Sequence, residues 1–338
     1  MHFGFSLPPE WAPHAATWTC WPSGEELWSG YLSSARQEMA DLIEAIASAE
    51  GVHLLVTDQE AAEDAAGRLG SGVTLHLVPL DDIWLRDSGP IFLRSGPDVS
   101  LICFQFNAWG EKFAYQNDAA VARWIAHWLG APHFLSQLTL EGGSVEANGA
   151  GLAMTTRQCL LEPHRNPGCS QGQLESELRA ALGVDLIWLE EGLEGDHTDG
   201  HIDTLARFVS ERQVVCCRER RRSDPNCEVT AGNWQVLSRF QDAQGGLEIT
   251  ELPLPQRRLE QDGARLAASY ANYYLAGDLI LIPQYGDPND SLALDILAGL
   301  FPDRRAIGLS ARALITGGGA FHCVTQQQPA GRLWSMRG

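Results

Sequence analysis

The feature that most constrains the fold is the alternation of short apolar runs with longer amphipathic segments. The runs are VHLLV at 52, VTLHLV at 73, LICFQF at 101, GLAMTT at 151, DLIWL at 185, QVVCC at 213 and LILIP at 279. Continuous apolar runs of this length are typical of strands that are buried on both faces. Amphipathic patterns predict helices between them, at 31–48, 118–130, 171–183, 226–243 and 289–301. Strands that alternate with helices predict an α/β architecture.

Five polar segments recur along the chain, each beside a strand-like run. They are 81-DDIWLRDSGP-90, 141-EGGSVEANG-149, 196-DHTDGHID-203, 269-SYANYY-274 and 317-GGGAFHC-323. The intervals between Asp87, Glu141, His201, Asn272 and Cys323, in that order, are 54, 60, 71 and 51 residues. Five similar units around an axis would point all five polar segments at one centre. Because no linker-like stretch interrupts the chain, residues 1–338 are predicted to form a single domain.

The balance of charged side chains excludes some classes of function. The chain has 43 acidic residues against 24 Lys and Arg, a formal net charge of −19. This excess of acids argues against nucleic-acid binding, and it fits either solubility alone or a cationic small-molecule partner. No apolar run is long enough to span a membrane, and the N-terminal MHFGFSLPPEW does not read as a secretion signal. A cytoplasmic protein without a membrane partner is therefore expected.

The eight cysteines are too sparse for a disulfide scaffold, and none of them forms a CxxC pair. Most lie in apolar segments and are predicted to be reduced and buried. Cys323 differs because three glycines lead to it in GGGAFHC. Two interpretations of Cys323 are open, a buried side chain after a flexible turn and a nucleophile held on a loop.

The segment 196-DHTDGHID-203 allows three interpretations. His201 and Asp203 have the spacing of two ligands of a 2-His-1-carboxylate iron centre, which would need a distant third histidine. His197 and His201 have the spacing of zinc ligands on a helix, but Gly200 argues against a helix here. His201 could instead do acid–base work with Asp203 beside it, or the segment could be only a hydrogen-bonded loop.

Taken together, the five segments offer one thiol, one imidazole and three carboxylates. These groups are Cys323, His201, Asp87, Glu141 and Asp203. Several carboxylates around one thiol suit a substrate that is itself positive, and a planar guanidinium binds carboxylates in bidentate fashion. Two carboxylates would hold the guanidinium and align its carbon with the sulfur. The positive substrate would also help to lower the pKa of the thiol.

The chain resembles the agmatine deiminase and bacterial-type peptidylarginine deiminase family. The motifs that carry the resemblance run through the whole chain in a fixed order. They are PPEWAPHAATWTCWP, DDIWLRDSGP, FNAWG, EGGSVEANG, PHRNP, TDGHIDTLARFV, ASYANYY and GGGAFHCVTQQQP. The resemblance implies a pentein fold, which is a five-bladed α/β propeller with pseudo-fivefold symmetry, in agreement with the five recurring segments.

The resemblance also implies a reaction and a role for each site residue. A guanidino group and water would give a ureido group and ammonia, as in agmatine to N-carbamoylputrescine, without a metal or another cofactor. Cys323 would attack the guanidinium carbon and form a covalent thiouronium, and His201 would act as acid and then as base. Asp87 and Asp203 would hold the guanidinium, and Glu141 would assist through the substrate or His201. The substrate would also contact the side chains of Trp84, His197 and Asn272.

Two positions depart from the usual pattern of the family. Members of the agmatine type usually carry glutamate at the place of His197 and often asparagine at the place of Ala320. The first departure concerns the far end of the substrate, so that peptidyl-arginine or another small guanidino compound is an alternative to agmatine. A metal-dependent enzyme built on His201 and Asp203, and a guanidine-binding protein without turnover, are further alternatives. The family also implies a homodimer.

Overall fold

Helices and strands alternate throughout the computed structural model of the chain, which describes residues 4–335. The α-helices, numbered in chain order, are α1 (Glu25–Trp28), α2 (Leu32–Ala47), α3 (Gln59–Arg68), α4 (Leu85–Ser88), α5 (Ala108–Glu111), α6 (Asp118–Trp128), α7 (Arg157–Leu160), α8 (Gln171–Leu182), α9 (Asn226–Arg239) and α10 (Asp290–Leu300). Short 3-10 helices lie at Gly142–Ser144, Ile202–Thr204, Tyr270–Asn272 and Leu314–Gly317. The five helices predicted from the sequence are α2, α6, α8, α9 and α10, and all five are confirmed.

The strands are short, and the seven apolar runs all lie in strands. The strands are β1 (His14–Cys20), β2 (Gly51–Val56), β3 (Val73–Leu77), β4 (Ile91–Ser95), β5 (Asp98–Gln105), β6 (His133–Thr139), β7 (Glu146–Ala147), β8 (Leu152–Thr156), β9 (Asp185–Leu189), β10 (Ala206–Phe208), β11 (Gln213–Arg218), β12 (Glu248–Pro253), β13 (Glu260–Gln261), β14 (Ala264–Arg265), β15 (Tyr274–Ala276), β16 (Leu279–Gln284), β17 (Arg305–Ser310), β18 (Thr325–Pro329) and β19 (Arg332–Leu333). The predicted α/β architecture is confirmed.

Five separate sheets repeat one plan, in which an antiparallel pair of strands is followed by a parallel third strand. The plan is seen in β4-β5-β6, β7-β8-β9, β10-β11-β12, β15-β16-β17 and β18-β1-β2. The second and third strands of every sheet are joined through at least one helix, as a parallel crossover requires. The sheets do not merge into one closed sheet, and five repeats of one unit are the pseudo-fivefold arrangement that the sequence predicts.

The two ends of the described chain meet in the first sheet. Strand β18, near the C terminus, pairs antiparallel with β1, and β2 and β3 complete the sheet on the other side. Strand β19 then pairs with β5 of the neighbouring sheet. The repeats are therefore held together by pairing between distant parts of the chain.

Local sequence explains why the helices form where they do. Helix α8 begins at a capping box, in which Ser170 and Gln173 satisfy each other's backbone N–H groups, and it ends at Gly183 in the left-handed conformation. On α2 the apolar stripe that includes Met39, Leu42 and Ile46 is fully buried against the first sheet. No helix among residues 4–335 has both the length and the apolar character needed to cross a membrane.

Candidate active site

The five polar segments all occupy the same place in the repeat, just before the first strand of a sheet. Asp87 lies in α4 before β4, Glu141 precedes the 3-10 turn before β7, and His201 precedes the turn before β10. Asn272 ends the turn before β15, and Cys323 lies in the turns before β18. All five residues are buried. One structural position per repeat thus supplies one polar side chain to the centre.

Contacts between neighbouring segments connect the five into a ring. The Gly143 N–H donates to Asp87 Oδ1 at 2.9 Å, and His201 Nε2 lies 3.9 Å from Glu141 Oε2. The turn at 202–204 packs on the turn at 270–272. Asn272 Nδ2 lies 3.1 Å from Cys323 Sγ, and the N–H of Arg86 closes the ring by donating to the Cys323 carbonyl.

Asn272 holds the turn that carries Cys323. Its side-chain oxygen accepts the backbone N–H groups of Ala320, His322 and Cys323, at 3.2, 3.2 and 3.3 Å. Its side-chain nitrogen then faces the sulfur. Asn272 therefore fixes the turn on its backbone side and lies directly against the thiol.

The three glycines before Cys323 are needed because each lies too close to a neighbour for a side chain. A Cβ atom at Gly317 would lie 2.9 Å from the Trp84 ring, and one at Gly319 would lie 2.6 Å from that ring and 2.8 Å from Cys323 Cβ. At Gly318 the backbone φ is +112°, and a Cβ would lie 1.8 Å from the His197 ring. The glycines bring Trp84, His197 and the thiol into one small space.

The thiol of Cys323 is held in its protonated form before any substrate binds. Burial raises the pKa of Cys323 well above its usual value, and the carboxylates of Asp203 and Asp87 raise it further. The N–H of Ala320 and the Asn272 amide oppose this effect only in part. A cation placed between the sulfur and the two carboxylates would reverse the balance of charge and favour the thiolate.

Asp87 is a buried carboxylate whose two oxygens are both hydrogen-bonded. Oδ1 accepts the Gly143 N–H, and Oδ2 accepts Trp109 Nε1 at 2.9 Å. Burial raises the pKa of Asp87 to about 6, and the neighbouring charges of Asp203 and Glu141 act in the same direction. His201 Nδ1 lies 3.7 Å from Oδ2 and partly opposes this rise.

Trp109 reaches Asp87 from α5, which is a single turn of left-handed backbone and not a regular right-handed helix. The φ angles of Ala108, Trp109, Gly110 and Glu111 are 49°, 58°, 90° and 65°, so that four consecutive residues are left-handed. Left-handed backbone is unfavourable for residues with a Cβ and is retained where the surroundings require it. The indole hydrogen bond to Asp87 is a direct consequence of this turn.

Asp203 uses only one of its two carboxylate oxygens within the protein. Oδ2 lies 2.7 Å from His322 Nδ1 and 3.6 Å from Cys323 Sγ. Oδ1 is buried and has no hydrogen-bond partner among the described residues. Burial acts to raise the pKa of Asp203, but the hydrogen bond and charge of His322, together with the charges of His201 and Arg207, outweigh it and lower the pKa. Asp203 is therefore an ionised carboxylate with a free oxygen beside the thiol.

His201 is buried, and neither of its ring nitrogens has a hydrogen-bond partner within residues 4–335. Burial acts to lower the pKa of His201, but Asp87, the thiol of Cys159 and Glu141 raise it well above its usual value. A buried imidazole with two free nitrogens is able to exchange protons with a bound molecule. The backbone N–H of His201 bonds to Asp196 and Thr198, which fixes the loop.

Glu141 is bound by a buried arginine that the sequence reasoning did not single out. Arg165 Nε donates to both carboxylate oxygens of Glu141, at 2.9 and 3.0 Å. The same guanidinium donates to the Thr198 carbonyl and to Asp199, so that it joins the Glu141 segment to the His201 segment. Arg165 lies in the PHRNP motif, and that motif was the available signal.

The donor set does not fit a metal centre. Among residues 4–335, ligand atoms with metal-like spacing are found in Glu141, Cys159 and His201, whose atoms lie within 4.8 Å of one another. The Arg165 guanidinium already lies on both oxygens of Glu141, and a metal cation there would be repelled by it. Asp203 Oδ2 is likewise taken by His322. The residues from 197 to 201 form turns and not a zinc-binding helix, as Gly200 predicted.

Other residues of the ring also escaped the sequence reasoning. His322, Glu10, Trp109 and Gly143 all lie in the quoted motifs, but they carry no sequence signal of their contacts. The expectation that most cysteines are buried holds, but Cys169 is exposed because it lies in the turn before α8.

An aromatic cluster surrounds the His197 side chain beside the glycines that precede Cys323. The His197 ring packs edge-on against Trp109 and Phe113, with centroids 5.8 and 5.7 Å apart. Burial lowers the pKa of His197, so that its imidazole carries no charge near neutral pH. Lys112 holds the loop from outside, through the His197 carbonyl and Asp199.

The five repeats define an α/β pentein fold. At its centre lies a buried ring formed by a cysteine, a histidine and several carboxylates. The model of the Porphyromonas-type peptidyl-arginine deiminases matches residues 6–329, and the chain belongs to this family. A protein of Yersinia pestis whose provisional name is agmatine deiminase is 36% identical, over 97% of this chain and 96% of its own.

Solved structures show the same fold. An agmatine deiminase of Enterococcus faecalis superposes with a TM-score of 0.94 at 29% identity, covering 97% of this chain and 96% of its own. A C. jejuni agmatine deiminase with substrate bound gives a TM-score of 0.89 at 28% identity, with 97% of each chain covered. An amidinotransferase of Microseira wollei, with a TM-score of 0.55 at 12% identity over 98% of this chain and 99% of its own, shows the fold alone. The predicted pentein fold is confirmed.

Proposed function

We propose that the protein is a deiminase that hydrolyses the guanidino group of a small cation, with agmatine as the first candidate substrate. The observation that carries the proposal is the buried thiol of Cys323 beside Asp203, whose free oxygen Oδ1 has no partner of its own among the described residues. A buried carboxylate without a partner is costly, and a guanidinium N–H would satisfy it. The relatives named agmatine deiminase support the same reaction.

The guanidinium would lie between Asp87 and Asp203, with its carbon facing the sulfur. The positive charge of the substrate offsets the effect of the two carboxylates, which raise the pKa of the Cys323 thiol. Binding therefore favours release of the thiol proton to solvent and formation of the thiolate. The Cys323 sulfur would become nucleophilic only when a cation is bound beside it. With any other electrophile the thiol would stay protonated.

In the first half of the reaction the sulfur bonds to the guanidinium carbon and one C–N bond breaks. The pKa of His201 is raised, so that its imidazolium holds a proton to give to the departing nitrogen. The products of this half are ammonia, neutral His201 and a thiouronium on Cys323. The thiouronium keeps the positive charge and stays beside the two carboxylates.

In the second half a water oxygen bonds to the thiouronium carbon while neutral His201 takes one of its protons. The C–S bond then breaks, and the second water proton returns to the sulfur as the ureido product forms. His201 and Cys323 are both protonated again at the end. The ammonia takes up the proton that the thiol had released to solvent, so that the sum is guanidinium plus water to a ureido compound plus ammonium.

Glu141 assists through His201, because Arg165 occupies its carboxylate and leaves it 3.9 Å from the imidazole. Trp84 and His197 would contact the chain of the substrate. Both rings lie beside the thiol, because the glycines that precede Cys323 pack on them. Asn272 fixes the nucleophile and lies within reach of the substrate. The cytoplasmic location, the homodimer and the single domain over 1–338 stay predictions from the sequence.

The first experiment compares the wild type with Cys323→Ala for release of ammonia and N-carbamoylputrescine from agmatine. We expect the variant to lose turnover entirely, because Cys323 is the one thiol in the five polar segments that would hold the substrate. Cys103→Ala removes a buried thiol of β5, outside the ring, and is expected to keep full activity. Equal turnover by wild type and Cys323→Ala would end the proposal. A panel of agmatine, arginine and a peptide with internal arginine then ranks the substrates.

A further inference from the structure

His322, which stands directly before the nucleophile, has no part in the mechanism above. Both of its ring nitrogens face carboxylate oxygens: Nδ1 lies 2.7 Å from Asp203 Oδ2, and Nε2 lies 2.8 Å from Glu10 Oε2. Its backbone N–H bonds to Asn272, and its carbonyl accepts from Arg86 Nε. The ring is almost fully buried, so that its orientation is fixed on every side.

Glu10 anchors the far side of the His322 ring. Arg207 Nη2 donates to the same oxygen at 2.6 Å, and the Leu275 N–H donates to the other oxygen at 3.0 Å. Burial acts to raise the pKa of Glu10, but Arg207 and His322 outweigh it and the pKa falls well below its usual range. Glu10 is therefore a fixed negative charge behind the imidazole, and Arg207 in turn is bound by Glu146.

Asp203 and Asp87 differ in how the protein holds them. Asp87 receives two neutral N–H donors, one on each oxygen, and its pKa rises to about 6 because of burial and its acidic neighbours. Asp203 is equally buried, receives its donor on one oxygen only, and keeps a lowered pKa. Among the groups that lower the pKa of Asp203, His322 acts most strongly, ahead of the charges of His201 and Arg207, and it binds only Oδ2.

We propose that His322, supported by Glu10, is a positioning residue that holds Asp203 as an oriented carboxylate with Oδ1 directed at the substrate guanidinium. The inference rests on the proposed function. The groups that face His322 are Asp203, Glu10, Arg86 and, one contact away, Arg207 and Cys323. His322 touches no substrate atom in this arrangement and acts only through Asp203.

Two substitutions separate the two contacts of the ring. His322→Asn keeps an amide nitrogen close to the place of Nδ1, whereas His322→Gln extends its amide toward Glu10 and leaves Asp203 without a donor. For positioning through Asp203 we expect kcat/KM for agmatine to fall in both variants, by about 100-fold in His322→Gln. The loss should be smaller in His322→Asn, because a neutral hydrogen bond to Asp203 is kept. If His322 had only a structural role, His322→Gln would not be expected to lose more activity than His322→Asn.

The pH dependence of kcat/KM gives a second measurement. In the wild type Asp203 stays ionised, so the acid limb is expected to have a slope of about 1, from Asp87 alone. Without His322 the pKa of Asp203 is expected to rise, because the strongest of the influences that oppose burial is lost, although the charges of His201 and Arg207 remain. Asp203 then loses its charge in a second step below that of Asp87, since protonation of one carboxylate relieves the repulsion on the other. We expect the slope in His322→Gln to approach about 2.

His76→Asn is the matched control, since His76 is a buried histidine on β3 outside the ring. It should leave kcat/KM and the acid limb unchanged, and thermal melting reports whether each variant is folded. A folded His322→Gln with the wild-type slope, or with activity above His322→Asn, overturns the positioning role while the deiminase proposal stands. A wild type that is inactive on every guanidino compound overturns both.

Discussion

Asp87 and Asp203 are the same residue type in one buried ring, but their surroundings give their carboxylates different proton affinities. Burial raises the pKa of Asp87 to about 6, close to physiological pH. His322, with the charges of His201 and Arg207, keeps the pKa of Asp203 below its usual value against the same effect of burial. A guanidinium that bridges the two therefore depends on the protonation state of Asp87 alone across the mildly acidic range.

The pH dependence of substrate capture follows from this difference. Below a pH of about 6 Asp87 takes up a proton and loses its negative charge, whereas the substrate guanidinium stays positive. We expect kcat/KM for agmatine to fall as the pH decreases through about 6, a value that reports the free enzyme. Asp87→Asn should remove this limb and lower kcat/KM at pH 8 by about 10- to 100-fold, the cost of a charged hydrogen bond.

Steady-state kinetics between pH 5 and 9 provide the measurement for Asp87. Asp64→Asn, which alters a carboxylate on α3 outside the ring, is expected to keep the wild-type profile. If the acid limb persisted at the same pH in Asp87→Asn, the limb would belong to a group other than Asp87.

The sequence alone identifies the groups that carry chemistry, but it does not reveal the groups that hold them in place. Asp87, His201 and Cys323 lie in segments rich in glycine or charged residues, and this composition marks them as candidate site residues. Arg165 and Glu10 are ordinary charged residues in the sequence, and their importance lies in contacts across 24 and 312 positions, to Glu141 and to His322. Contacts over such separations depend on the sheet topology and have no local pattern.

At the scale of elements, the short turns before each first strand decide the geometry of the site. Apolar periodicity predicted five of the six helices longer than two turns and the seven strands with continuous apolar runs. Helix α3 and the buried strands β1 and β4 were missed. The two-residue strand β7, the 3-10 turns and the left-handed α5 were missed, since they are set by hydrogen bonds and close contacts. The GGG stretch gave the one usable local signal for such a turn.

Gly318 tests the role of that stretch. Its φ of +112° disfavours any side chain, and a Cβ atom at this position would lie only 1.8 Å from the His197 ring. We expect Gly318→Ala to destabilise the fold by about 1–3 kcal/mol through backbone strain. The turnover rate should fall by more than the loss of folding stability explains, because the turn that carries Cys323 must move away from His197.

Chemical denaturation and steady-state kinetics on the same preparation measure the two effects of Gly318→Ala. Gly299→Ala, in the exposed part of α10 with no atom within 4 Å of the new methyl, is the control. It should stabilise the helix by about 0.5–1 kcal/mol and leave turnover unchanged. Full activity of Gly318→Ala would show that the loop does not require glycine there.

At the scale of the whole molecule, one pairing of distant strands completes the ring of repeats. Strand β18 provides the antiparallel partner of β1, from His14↔Pro329 to Thr19↔Thr325. Two of its side chains, Gln326 and Gln327, accept Arg86 Nη1 at 2.9 and 2.7 Å beneath the candidate site. The last repeat is thus tied to the first by backbone pairing and by a buried arginine.

The sequence predicted five repeats around a centre from the spacing of five segments, but it did not show how the ring is closed. The closing strand TQQQP is polar and short, and it has none of the apolar character by which the seven predicted strands were found. Its stability comes from the register with β1 and from buried polar contacts, such as Trp18 Nε1 with Gln328 Oε1 at 2.9 Å. Composition alone does not reveal a strand of this kind.

Two truncations test whether β18 closes the fold. A chain that ends at Pro329 keeps β18 and loses only β19 of the described elements, and we expect it to unfold in one cooperative transition at a slightly lower urea midpoint. A chain that ends at Val324 loses β18, exposes the edge of β1 and leaves the buried Arg86 without its two glutamine partners. Hydrogen bonds to a charged group contribute about 1.5–3 kcal/mol each, and the pairing with β1 is lost as well. Together these losses are a large share of the stability of a domain, so we expect this chain to show no cooperative transition. Circular dichroism during urea titration measures both chains, and similar midpoints for the two would mean that the repeats hold together without the closing strand.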